Sequence, residues 1–192
     1  MTGTANPAAV RGRYLKELLA YAFSFDQSQP PSAFVSPADR VRIDEAATSD
    51  WLPIEIMFDL ARRCQLALGP TRYADFNRKL FLRQLQTPLL RPILFAARSV
   101  FHVGVHGLLR HLPRGWSQTY RGMGQPRFEI VDANRSLVFL EDLPAVCFDE
   151  PPWLDGTRHA FSGMFELAGV EGNVTLSSNP PKRVVTLTFT SG

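Results

Sequence analysis

The sequence predicts an α+β protein, in which N-terminal helices and one long amphipathic helix pack on an antiparallel sheet interrupted by one late helix. Three observations carry this. The first half of the chain repeats its apolar residues at three and four, the period falls to two after Pro113, and one helical stretch, 157–168, separates two pairs of strand-like segments. With 192 residues, 45% of them hydrophobic and 20% charged, residues 1–192 are expected to form a single domain around one well-filled core.

Taken in order, residues 11–25 predict a first helix with Tyr14, Leu18, Ala22 and Phe25 on one side. The stretch DQSQPPSAFVSP breaks it. Asp50 is placed to cap a helix over 51–68 that Gly69-Pro70 ends, and 71–85 predicts another, with Tyr73, Phe76, Leu80 and Leu85 inward. The most strongly patterned stretch is PLLRPILFAARSVFHVGVHGLLRHLP, 88–113. Leu90, Leu94, Ala97, Phe101, Val105, Leu108 and Leu112 share one side of a helix starting near Pro92, and Arg98, His102, His106 and Arg110 draw a cationic stripe along another. Three arginines and three histidines in this run exclude a membrane span.

After Pro113, RGWSQTYRGMGQP carries glycines and reads as an exposed connection. Residues 127–131 and 136–141 predict a hairpin around Asp132-Ala133-Asn134, followed by a short strand at 145–148; LVFLE, apolar on both faces, predicts a strand covered on both sides. The helix over 157–168 ends at Gly169, with Ser162-Gly163 as a close-packing point. A second hairpin, 173–177 and 183–190, spans SNPPK, and its Val185, Leu187 and Phe189 alternate with polar or smaller residues.

The net charge of +3 hides an uneven distribution: twelve Lys/Arg face the single acid Asp75 over 60–128, and nine acids face Arg135 and Arg158 over 129–171. Pairing of the two segments within the fold is the simpler expectation. An anion-binding surface of Arg98, Arg110, Arg114 and Arg121 is the sharper one. His102 and His106 stand four apart, but the cationic surroundings argue against a metal. Cys64 and Cys147 lack CxxC spacing and are expected to be buried thiols. No nucleophile elbow or phosphate-binding glycine loop is present. Without a secretory signal pattern, the cytoplasm is the expected location.

The W-L-P-I-E start at Trp51, FNRKLFLRQLQTPLLRPIL, LLRHLPRGW and FSGMFELAGVEGNVTL together resemble an uncharacterised family of proteins of about this length abundant in myxobacteria. That family is similar in layout to haem–nitric-oxide-binding domains and to vinyl-reductase-type ligand-binding domains, which implies a ligand space between the long helix and the sheet. The resemblance makes His106 the candidate haem ligand, but the Tyr-x-Ser-x-Arg signature for haem propionates is missing: none of Tyr14, Tyr21, Tyr73 or Tyr120 starts it. No cofactor is therefore expected.

The leading expectation is a non-enzymatic regulatory or sensor domain binding a small, largely apolar ligand or a protein partner. Leu94, Ala97, Phe101, Val105 and Leu108 are its expected pocket, opposite Val185, Leu187 and Phe189, with a volume of a few hundred Å³. A phosphate- or nucleic-acid-binding module using the Arg-rich middle, and an enzyme whose site assembles only in three dimensions, are the alternatives. Homo-oligomers are compatible with either.

Overall fold

The computed structural model describes residues 7–85 and 104–192. A short strand β1 (Ala9–Arg11) leads into α1 (Gly12–Phe25). No side chain caps α1. Its first amides donate instead to the 46–50 loop, Gly12 N to Asp50 O at 2.8 Å and Arg13 N to Thr48 O at 3.1 Å. A Cβ at Gly12 would stand 2.7 Å from Ala47 O, so only glycine allows this approach.

The proline-rich break holds a further helix, α2 (Pro37–Glu45), which the sequence reading missed. Ser36 accepts from Asp39 N, and Pro37 pre-sets the first turn. Trp51–Pro53, expected as the start of a helix, form strand β2 paired antiparallel with β1. Asp50 accordingly caps the loop, taking Ala47 N at 2.7 Å. The span α3 (Ile54–Leu85) then consists of two helical segments that meet at Gly69, whose backbone is not helical (φ 71°, ψ 166°), followed by Pro70, where the sequence places the boundary.

Gly104 is extended (φ −64°, ψ 179°), and α4 (Val105–Leu109) starts only after it. The expected helix from Pro92 to Pro113 is therefore not one element. Pro113 opens a helix instead of closing one, lying in the first turn of α5 (Leu112–Thr119). The stretch expected to be an exposed connection is α5, strand β3 (Tyr120–Arg121) and a turn. Trp116 and Met123 in it are buried and joined by a hydrogen bond from Trp116 Nε1 to Met123 O at 3.2 Å. Glycine spacing signalled flexibility, but the tryptophan's apolar area decided the outcome.

The C-terminal half is a four-stranded antiparallel sheet in the order β4-β5-β7-β6. Its strands are β4 (Gln125–Ile130), β5 (Arg135–Glu141), β6 (Gly172–Asn179) and β7 (Val184–Ser191). Both expected hairpins are present, with Phe128 opposite Val138 in the first and Leu176 opposite Leu187 in the second. The expected strand at 145–148 is a 3-10 turn, Ala145–Asp149, that buries Cys147. Helix α6 (Pro151–Ala168), with prolines in its first turn and left-handed Gly169 at its end, covers one face of the sheet. Phe161 and Phe165 pack on Phe189 with ring centroids 6.4 and 6.0 Å away. The other face is not sealed as expected for β5: Leu137 and Phe139 are only half-buried, and the Arg127 guanidinium lies 4.2 Å over the Phe139 ring.

One continuous core joins these layers. Its densest part is the seam between α3 and α6. Added Cβ atoms would meet Tyr73 Oη at 2.6 Å from Gly156 and Phe81 Cδ1 at 3.0 Å from Gly163. The seam is thus closed by two glycines, and Ser162-Gly163 is the close-packing point the sequence indicated. No helix among the described residues is long and apolar enough to cross a membrane.

Candidate functional site

Four elements converge next to the α3–α6 seam. Tyr14 comes from α1, Gln84 from the last turn of α3, Tyr120 from β3 and Trp153 from the first turn of α6. The Tyr14 and Tyr120 rings are tilted at a centroid distance of 6.0 Å, and Tyr120 meets Trp153 edge-on at 6.4 Å. Trp116 backs Tyr120 at 4.5 Å, and Phe58 backs Trp153 at 5.6 Å. Aromatic pairs of this geometry each add about 0.5–1.5 kcal/mol beyond their area, so the walls are rigid.

The polar atoms of this junction are under-used. Trp153 is 1% exposed, and among the described residues its Nε1 has no partner at full hydrogen-bond geometry; its polar neighbour is the Tyr120 phenol, whose pKa it lowers against the larger effect of burial. Gln84 Nε2 is likewise buried and, among the described residues, without a partner at full hydrogen-bond geometry, its polar neighbour being the Tyr14 phenol, which it holds down against burial. A buried donor left unsatisfied costs about 1–3 kcal/mol, so two in one place are unusual. Burial pushes the Tyr14 phenol up to about 12 and raises that of Tyr120 well above its ordinary value. Both stay neutral at physiological pH. One layer deeper the same chemistry is satisfied: Tyr73 Oη donates to Pro152 O at 2.9 Å, and Asn77 Nδ2 to Tyr73 O at 2.8 Å.

Of the residues singled out from sequence, Leu94, Ala97, Arg98, Phe101 and His102 lie outside the described residues. Val105 is buried and Leu108 half-buried on α4, and half-buried His106 lies between them. Gly104 is extended, so the helix that carries His106 starts after it. Val185, Leu187 and Phe189 are buried as expected, with Phe189 against α6. Arg110 and Arg114 stand exposed, while Arg121 folds over Trp51 at 5.2 Å with its Nε out of solvent.

The basic middle is largely used in ion pairs. Arg62 joins Glu150, Arg78 reaches Asp75 and Glu166, Arg127 reaches Glu129 and Glu141, and Arg72 holds buried Asp26 at 2.8 Å. Several of these cross from the basic to the acidic segment, as the simpler reading of the charge pattern required. Both cysteines are buried and free, and burial pushes each thiol up to about 12, which makes them inert at neutral pH.

Solved structures share this arrangement of N-terminal helices joined to a helix-covered antiparallel sheet. A variant H-NOX protein of T. Tengcongensis has a TM-score of 0.62 at 9% identity, over 94% of this chain and 97% of that one. An oxygen-binding H-NOX domain related to soluble guanylate cyclases, in its oxygen complex, has 0.61 at 8% identity over 94% of both chains. An H-NOX protein from K. algicida in the Fe(II) unliganded state has 0.52 at 9% identity, over 95% and 96%. The fold is therefore the one seen in H-NOX domains, as the sequence resemblance implied. No family model matches the sequence, and no curated protein matches it.

Proposed function

We propose that this chain is a non-enzymatic sensor domain on the H-NOX fold, and that its ligand is a small, largely apolar molecule carrying a hydrogen-bond acceptor. The observation that carries the reading is the pair of unpartnered buried donors, Trp153 Nε1 and Gln84 Nε2, at an aromatic-walled junction of four elements. Tyr14 and Tyr120 keep accessible surface although burial dominates their phenols. Accessible surface on desolvated side chains is what rings lining an interior space would have. An acceptor placed there would satisfy donors that now go unmet, and the aromatic walls would enclose the rest of the molecule.

Haem, which the similar proteins hold, does not fit the junction. It offers two phenols, an amide and an indole. The raised phenols remain protonated, so neither supplies a phenolate to iron. His106 stands on the five-residue α4, set off by the extended Gly104, and the propionate-binding signature is missing from the sequence.

Two measurements test the reading. Protein produced with ample iron and haem precursor is expected to show no Soret band; a stoichiometric band lost in His106→Ala overturns the non-haem assignment. In the second, acetone, cyclohexanone and acetophenone are titrated against cyclohexane while the indole N–H resonances are followed. The Trp153 N–H is expected to move downfield with the ketones alone, and the Trp116 N–H, already bonded to Met123 O, to stay. Equal responses to ketone and hydrocarbon, or none, refute the acceptor-reading junction.

A further inference from the structure

The two edges of the four-stranded sheet are built differently. Edge strand β4 contains Pro126, Arg127 and Glu129, the residue types that normally keep an exposed edge from pairing with another chain. Edge strand β6 has the sequence GNVTLSSN, with no charge and no proline over eight residues, and six of these are exposed. Its ladder with β7 is unbroken from Gly172 to Asn179, so it is a long, regular edge. Charges stand only at its two ends, Glu171 before it and Lys182 after it.

We infer that β6 is a self-association edge, at which a second copy of this chain adds its own β6 antiparallel to make one continuous eight-stranded sheet. The end charges select this occupant. Antiparallel pairing of β6 with itself about Thr175 sets Glu171 of one copy opposite Asn179 of the other, whose side chain adjoins Lys182 (Lys182 N donates to Asn179 Oδ1 at 3.2 Å), and does so twice because the contact is isologous. A two-fold axis normal to the sheet at Thr175 keeps both helix-covered faces on the same side. It also sets Val174 and Leu176 of the two strands side by side over the core. On that side α6 stands off β6, leaving a groove of about 440 Å³ lined by Pro151, Leu154, Arg158, Val174 and Leu176 among others. The two grooves meet at the seam, so the α6 helices clear one another. On the open face the polar groups Asn173, Thr175 and Ser177 adjoin the axis, with Asn173 of each copy opposite Ser177 of the other.

Sedimentation equilibrium of the full chain, from low micromolar to the solubility limit, tests this. A monomer–dimer equilibrium is expected. Thr175→Lys/Ser177→Lys, which places like charges at the axis on the open face, should raise the dimer Kd at least tenfold with an unchanged urea midpoint. Lys182→Glu should weaken the dimer, and Glu171→Lys added to it should restore wild-type affinity, a rescue that depends on the end-to-end geometry and not on fold stability. Wild-type protein that is monomeric throughout overturns the proposal. A dimer indifferent to the lysines, or one that the charge swap fails to rescue, does so as well.

Discussion

The α3–α6 seam and the junction of Tyr14, Gln84, Tyr120 and Trp153 are adjacent and share both helices, yet they solve packing in opposite ways. At the seam, Gly156 and Gly163 let backbone and rings approach to contact distance, and the polar groups there, Tyr73 and Asn77, are bonded. At the junction the side chains are as large, but only Trp153 is fully buried, and among the described residues two buried donor atoms, Trp153 Nε1 and Gln84 Nε2, lack partners at full hydrogen-bond geometry. A core selected for stability alone would have replaced them with apolar groups, since the unmet donors oppose folding. The difference separates the part of the interior that holds the protein together from the part that is kept for something else to complete.

The largest expected effect breaks the seam. Phe58 is 1% exposed and stacks edge-on against Trp153. Phe58→Ala should cost about 3–5 kcal/mol in urea unfolding, lost transfer energy plus a cavity. A loss below about 1 kcal/mol would mean that the seam collapses freely and is not the rigid wall described. Gly156→Ala comes next. Its new Cβ presses on Tyr73 Oη and strains the bond to Pro152, and overpacking of this kind costs about 1–3 kcal/mol, from which about 1 kcal/mol of helix propensity is recovered. A stabilised Gly156→Ala variant would show that the close approach is incidental.

At the junction the sign should reverse. Gln84→Met keeps length and volume while removing a buried unpartnered amide N–H, so it should stabilise the fold by about 1 kcal/mol. The same change should weaken the ketone-induced shift of the Trp153 resonance. Destabilisation by Gln84→Met would mean that the amide is satisfied in solution, and the contrast between the two regions would disappear.

How much of this was legible in the sequence follows from the range over which each signal acts. Helices α1, α3 and α6 show as 3.6-residue periodicity, and the two C-terminal hairpins as alternation around turns, because local residues decide them. The three-stranded sheet β2-β1-β3 was not legible. Its strands are two or three residues long, and Val10 finds Leu52 and Tyr120 only after the chain has folded back twice. Helix α2 was hidden because Pro37 reads as a breaker until Ser36 is recognised as its cap. Trp116 and Tyr120 stand in a stretch that reads as an exposed connection. Their role as interior walls depends on Tyr14, Gln84 and Trp153, which come from elements far apart in the chain. The break at Gly104 carried a signal, a glycine inside an apolar helix pattern, that the strength of the surrounding periodicity outweighed.

The smallest expected effect concerns a group between the two extremes. His159, on α6, is half-buried beside Arg158 and Asp155, with Arg158 Nη2 2.7 Å from its Nε2. Burial first, and the Arg158 charge second, hold the imidazole below its ordinary value of 6.5, against the opposing pull of Asp155. Between the depressed folded value and 6.5 the unfolded chain binds more protons than the folded one, so stability rises with pH there. The contribution is complete above the unfolded value and is lost as pH falls toward the folded one. The urea midpoint should therefore drop on going from slightly alkaline to mildly acidic buffer, and His159→Gln should flatten that drop without altering the alkaline midpoint much. A midpoint that rises on acidification would mean that the imidazolium is stabilised by Asp155 more than burial and Arg158 disfavour it. This part of α6 would then be an ion-pair site, unlike the desolvated interior one turn away.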